Sequence, residues 1–142
     1  MEATFNNSVK VLVKAFLNGT LQKQNCMACA VGNLVAAAKG CVYSVIENGI
    51  VHTANIGDWY SSGVMNQCRN RADHKELVEI AVTGYTFEQV VDIEAAFEGN
   101  GKNDDSMESQ YEGLMAVVDV LATIHNVDLQ QAETAKLLFV KA

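Results

Sequence analysis

Apolar residues recur every three or four positions along much of this chain. Between residues 7 and 18, for example, Val9, Leu12 and Phe16 follow this spacing, and Gly19 comes where a helix would end. That spacing is typical of a helix with one buried face. The same reasoning predicts helices over about 7–18, 26–39, 73–83, 87–98, 107–125 and 129–140.

Local start signals support several of these helices. Thr86 and Gln89 have the spacing of a capping box, in which each side chain bonds the other residue's backbone N–H. Tyr85 and Val90 flank that start as a hydrophobic staple would. Asp128 with Gln131 indicates a similar start for the last helix, and Asn25 is the expected cap of the helix over 26–39.

The pattern changes at residues 41–54, which are rich in β-branched and aromatic residues around the turn Glu47-Asn48-Gly49. This stretch predicts a β-hairpin, and a lone hairpin needs support from other elements. A chain of 142 residues fits one domain. We therefore expect a mainly α fold: a single domain over 1–142, with about six helices and one peripheral hairpin.

The negative charge is concentrated in one part of the chain. Residues 86–112, here called the acidic segment, carry eight acids and one base, whereas the whole chain has a net charge of −7. Nucleic-acid binding usually needs a basic surface, so this charge argues against it. The acidic segment is either a solvated surface or a docking surface for a basic partner. The hairpin region around Trp59 is a second candidate surface.

The remaining composition bears on location. No apolar run reaches the roughly 20 residues that cross a bilayer. Glu2 and the polar residues at 6–8 interrupt any secretory pattern at the start of the chain. We therefore expect a cytoplasmic protein without a membrane partner, whose four cysteines are reduced rather than bridged.

The block around Cys26 and Cys29 is the main candidate for chemistry. Zinc usually takes two short-spaced pairs of Cys or His ligands, and these cysteines supply one such pair. A site made of Cys26, Cys29, Cys41 and His52 is conceivable, because the hairpin follows this helix directly. The second short-spaced pair is missing from the sequence, however. We therefore expect no cofactor, with zinc as the alternative.

A reactive thiol is another interpretation of the same block. A cysteine at a helix N-terminus has a lowered pKa and is a better nucleophile. Cys29 as nucleophile, His52 as base, Asp58 as its orienting group and Gln22 as oxyanion donor would supply the residue types of a cysteine hydrolase. A redox C-x-x-C motif would need a preceding strand, and residues 21–25 are short and polar.

Packing is the third interpretation. Free cysteine is among the most buried residue types, and Ala30 and Gly32 allow neighbouring helices to approach closely. Of the histidines, His125 is predicted at the end of a helix, where a positive charge is favourable. Asn33 is the single polar residue in the small apolar stretch, and it bonds either a neighbour or a ligand.

Three stretches together carry a resemblance: the C-x-x-C-A-x-G-N-L motif at 26–34, residues 84–98, and residues 113–121. They resemble a group of small uncharacterised proteins from bacterial and bacteriophage genomes. That group brings no established activity or site residues. The resemblance implies a phage or mobile-element accessory protein.

These observations favour a small non-enzymatic binding module that acts on a protein partner or associates with itself. The alternative is a cysteine-centred site on Cys26 and Cys29, either structural zinc or a thiol-dependent enzyme.

Overall fold

A computed structural model describes residues 3–19, 21, 29–38, 43–46, 49–52, 83–101 and 106–140 of the chain. This part is mainly helical, as predicted. Its helices are α1 (Phe5–Asn18), α2 (Ala30–Ala38), α3 (Phe87–Gly99), α4 (Met107–Ile124) and α5 (Leu129–Lys136), followed by a 3₁₀ turn at Leu137–Phe139. None of these helices is both long and apolar enough to cross a membrane.

Helix α1 begins two residues before the predicted start, because Thr4 rather than a later residue caps it. The Asn7 N–H donates to the Thr4 hydroxyl over 3.1 Å. At the other end, Gly19 adopts a left-handed conformation with φ 74°, which glycine takes without steric cost. Its N–H donates to the Phe16 carbonyl and completes the end of the helix.

The described part of helix α2 begins at Ala30, whereas the sequence predicts a helix from residue 26, and residues 26–28 lie outside the described residues. Cys29 lies immediately before the first helical residue. The predicted cap, Asn25, lies outside the described residues, as do residues 73–82 of the predicted helix over 73–83. Thr83 itself is in a turn.

Two short strands, β1 (Tyr43–Ile46) and β2 (Gly49–His52), pair in antiparallel fashion. In their register Tyr43 lies opposite His52, and Ile46 lies opposite Gly49. The turn between these strands lies outside the described residues, so the predicted hairpin over 41–54 and its peripheral position remain predictions, and so does the sixth helix.

Helices α3 and α4 share the most extensive contact among the described elements. The capping box of Thr86 and Gln89 is confirmed, with hydrogen bonds of 2.9 and 3.2 Å that fix the start of α3. Gly113 of α4 lies against α3 so closely that a Cβ there would be 2.5 Å from the Phe97 carbonyl oxygen. Because this contact lies near the loop that joins the two helices, α3 and α4 run antiparallel.

The last helix is shorter than predicted. Asp128 caps α5 through the Gln131 N–H at 2.8 Å, as expected from the sequence. The predicted helix over 129–140 gives way after Lys136 to the 3₁₀ turn. At this turn Phe139 enters the core, where its ring packs edge-on against Phe16 at 6.0 Å between ring centroids.

One apolar core joins the described helices. Its largest fully buried side chains come from α1, α2, α3, α4 and the final turn, together with Leu21: Leu12, Leu34, Ile93, Phe97, Leu114, Leu121 and Phe139. Gln110 adds a buried tie, because its side-chain amide donates to the Leu21 carbonyl over 2.9 Å. The segment after α1 is thereby fixed to the start of α4.

Candidate functional site

Cys29 occupies the capping position of α2. Its side chain is only 2% exposed, and its sulfur accepts a hydrogen bond from the Gly32 N–H at 3.3 Å. The Cys29 carbonyl accepts two bonds of 3.0 Å, from the Asn33 backbone N–H and from the Asn33 side-chain amide. Asn33 therefore bonds its own helix start, which the sequence left open. The Cys29 sulfur satisfies one of the N–H groups that a helix start leaves without intrahelical partners.

The other residues of the predicted zinc and thiol sites cannot be joined to Cys29 within the described part of the chain. Gln22, Cys26, Cys41 and Asp58 lie outside the described residues, and His52 is placed only by its backbone in β2. Among the described residues, no group of three or more His, Cys, Asp and Glu side chains could hold a metal ion. Zinc and thiol chemistry remain predictions.

A chain of hydrogen bonds that the sequence did not predict connects three parts of the fold. The Tyr85 hydroxyl lies 2.5 Å from the Ser8 hydroxyl of α1 and 2.8 Å from Nε2 of His125, which follows α4. The Tyr85 and His125 rings also pack edge-on, at 5.5 Å between centroids. Ser8 and Tyr85 are buried, whereas His125 is partly exposed.

Burial changes the pKa values of the two titratable residues in these hydrogen bonds, Tyr85 and His125. Loss of solvent raises the pKa of Tyr85 above its ordinary value, and the hydrogen bond from Ser8 opposes that rise. Loss of solvent also lowers the pKa of His125 below its ordinary value. His125 does end helix α4, as the sequence predicted, but the partial burial of its ring against Tyr85 disfavours the charged form.

The hydrogen bonds among Ser8, Tyr85 and His125 connect elements of the fold, and their buried part is closed to a substrate. Ser8 is 0% exposed, so an external molecule has no access to its hydroxyl. The sequence did contain a signal for it, since Ser8 falls on the buried face of α1 between Phe5 and Leu12. A small polar residue at such a position needs a buried partner, and Tyr85 supplies it.

Glu94 departs from the expected solvated acidic surface. Its position on α3 follows the helical spacing of Val90, Ile93 and Phe97, and it is only 7% exposed. Loss of solvent, together with the negative charge of Glu98, raises the pKa of Glu94 to about 7. One of the eight acids in the acidic segment therefore faces inward and binds a proton near neutral pH.

A group of exposed apolar side chains lies at one end of the described helices. Contact between the Phe16 and Phe139 rings brings the end of α1 beside the 3₁₀ turn. Around that contact lie four exposed residues, here called the apolar end: Leu17 (38% exposed), Leu137 (69%), Leu138 (53%) and Val140 (56%). Exposed apolar patches of this kind are common at sites of protein association.

Comparison with known proteins does not assign the chain to a group: no family model matches it, and neither curated proteins nor solved structures give a match.

Proposed function

We propose that the protein is a small, non-enzymatic binding module that uses its apolar end to associate with another protein chain, a second copy being the simplest partner. The exposure of Leu17, Leu137, Leu138 and Val140 at one end carries this proposal. Three of the four residues are more than half exposed. Burying such side chains on association contributes roughly 25 cal/mol for each Å² of apolar surface removed from water.

Charges of both signs surround the apolar end. Lys14 lies on α1, Lys136 of α5 forms ion pairs with Asp119 and Glu133, and the Phe16 ring also contacts Tyr111 of the acidic segment. Self-association there would therefore depend on burial of apolar surface rather than on charge. A contact of one surface with its own copy is the usual geometry of a symmetric dimer.

The arrangement of Cys29 supports a module without thiol chemistry. A reactive cysteine is usually accessible, but the Cys29 sulfur is buried and bonded to the Gly32 N–H. These contacts are those of a helix cap. The resemblance to small bacterial and bacteriophage proteins suggests an accessory role for such a module, and that role is part of the proposal.

Sedimentation equilibrium of the full chain tests the proposal. We expect the wild type to associate with rising concentration, and the double variant Leu137→Lys with Leu138→Lys to remain monomeric with an unchanged helical spectrum. Leu129→Lys is the matched control, since Leu129 is 73% exposed but lies at the opposite end of α5. A wild type that stays monomeric, or one that responds equally to both changes, would contradict association through the apolar end.

A further inference from the structure

A shallow groove runs between the outer sides of α3 and α4. Its volume is about 540 Å³. Ala95 and Ala96 of α3 line one side, and Val120, Thr123 and Ile124 of α4 line the other. The groove surface is therefore mostly methyl and methylene groups, with room for one or two side chains of a partner.

Two carboxylates flank this apolar floor. Asp92 lines the groove from α3, and Asp119 lines it from α4. Because the two helices run antiparallel from the Phe97–Gly113 contact, Asp92 and Asp119 lie at a similar height on opposite sides. Asp119 forms an ion pair of 2.9 Å with Lys136 of α5, while Asp92 is exposed and forms no ion pair or hydrogen bond with the described residues.

The charge around the groove has one sign. Besides buried Glu94, α3 and α4 carry six acids and neither helix contains a lysine or an arginine: Glu88, Asp92, Glu98, Glu108, Glu112 and Asp119. Both helices are described in full, so this count covers them entirely. A helix pair of this composition attracts cations and repels nucleic acids and anionic membranes.

We propose that the α3–α4 groove binds a basic, amphipathic segment of a partner protein. Lysine and arginine combine an apolar stem with a charged tip. The stem would lie on the floor between Ala96 and Val120, and the tip would reach the free carboxylate of Asp92. A flanking basic residue of the same segment would meet Glu88, which lies one turn before Asp92 on the same face of α3.

Charge also argues that this partner differs from the protein itself. The chain has a net charge of −7, so a second copy brings long-range repulsion to the groove, whereas a basic segment is attracted from a distance. The inference rests on the proposed binding function but uses a different surface. Association through the apolar end and binding in the groove can therefore be tested separately.

The test is a titration of the full-length, isotopically labelled protein with a synthetic helical peptide of about 15 residues, made of alanine, leucine and lysine. A peptide with glutamate in place of lysine is the control ligand. We expect saturable amide shifts at Asp92, Ala96, Val120 and Thr123 with the lysine peptide and none with the glutamate peptide. Affinity should fall when salt rises from about 50 to about 300 mM.

Charge reversals locate the contact. Asp92→Lys should weaken binding by about tenfold or more, since it removes the free carboxylate from the groove. Glu112→Lys is the matched control, because it changes the net charge equally on the same helix pair but outside the groove lining, and it should weaken binding by less than about threefold. Circular dichroism checks that both variants fold.

Several results would overturn the inference. Equal weakening by both reversals would mean that only the overall charge attracts the peptide. Amide shifts at the groove residues that grow with protein concentration in the absence of peptide would show that a second copy occupies the groove. A wild type that associates through its apolar end yet shows no groove shifts with the peptide would refute the groove and leave the proposed function intact. A protein that stays monomeric but binds the peptide in the groove would refute association through the apolar end and leave the groove inference intact.

Discussion

The hydroxyl of Tyr85 links residues that are far apart in the sequence. It contacts Ser8 on α1 and His125 at the end of α4, so a single atom connects the start of the described chain with its C-terminal half. Hydrogen bonds in a buried environment add little net stability when made, but leaving their groups without partners is costly. The tie therefore favours one arrangement of the helices.

We expect Tyr85→Phe to lower the free energy of unfolding by about 1–3 kcal/mol, because the Ser8 hydroxyl loses the buried partner that Tyr85 supplies. Urea denaturation followed by circular dichroism measures this. The double variant Tyr85→Phe with Ser8→Ala should recover part of the loss, since it removes both ends of the buried bond. Additive losses in the double variant would show that the two hydroxyls are not coupled.

Glu94 should make stability depend on pH. Its pKa rises from an ordinary value of 4.5 to about 7 in the folded protein. Between these values the folded state holds a proton that the unfolded state has released, so stability falls as pH rises through this window. His125 acts in the opposite direction: its lowered pKa removes stability as pH falls below about 6.5, its ordinary value.

Separate replacement of Glu94 and Glu98 distinguishes the effect of burial on the Glu94 pKa from the effect of the Glu98 charge. Glu94→Gln should flatten the fall in stability between pH 4.5 and about pH 7, which we expect to be on the order of 1–3 kcal/mol in the wild type. Glu98→Gln should flatten it only in part, because loss of solvent affects the Glu94 pKa more than the Glu98 charge does. Denaturant midpoints at several pH values measure both. An unchanged pH profile for Glu94→Gln would contradict the assignment.

Cys29 should behave as a cap. Cys29→Ala removes the acceptor for the Gly32 N–H and should cost about 1 kcal/mol or more, whereas Cys29→Ser keeps an acceptor and should cost less. Alkylation of the native protein, with the labelled positions located by mass spectrometry, should modify Cys29 only after unfolding. Rapid labelling of Cys29 in the folded state would instead favour the thiol-dependent alternative.

At the scale of elements, the contact between α3 and α4 depends on Gly113. A Cβ at this position would lie 2.5 Å from the Phe97 carbonyl oxygen and 3.1 Å from its ring, so the helices would have to move apart. Backbone atoms cannot rotate away as a flexible side chain can. The pair, and the groove on its outer side, therefore depend on one residue without a side chain.

Gly113→Ala should destabilise the fold by about 1–3 kcal/mol, as other overpacked sites do. Gly99→Ala is the matched control: no atom lies within 4 Å of a Cβ there, and alanine favours a helix end more than glycine does. That variant should be neutral or slightly more stable. Thermal unfolding compares the two, and equal melting temperatures would show that α3 and α4 can separate without cost.

The sequence patterns predicted the starts of helices better than they predicted tertiary contacts. The starts of α3 and α5 follow from Thr86 with Gln89 and from Asp128 with Gln131, because a cap bonds residues only three positions away. The bonds of Tyr85 to Ser8 and His125 join residues brought together by folding, and no local pattern encodes them. Glu94 and Ser8 fall at helical spacing from buried apolar residues, but neither was singled out from the sequence, and Glu94 was counted among the surface acids.

Within the described part of the molecule, two candidate binding surfaces are built from different residues. Seven acids are on α3 and α4, and the apolar end is formed by the end of α1 and the final turn. A molecule with this arrangement can present two surfaces at once. The account therefore predicts a module that associates through one surface and receives a basic segment at the other.

The most direct test of the binding function is a concentration series of amide NMR spectra on the isolated, full-length wild type. The account predicts that shifts change with concentration at Leu17, Leu137, Leu138 and Val140, while those of the α3–α4 groove stay constant. Spectra that do not change with concentration, or changes centred on another surface, would contradict the central claim that the protein associates through its apolar end.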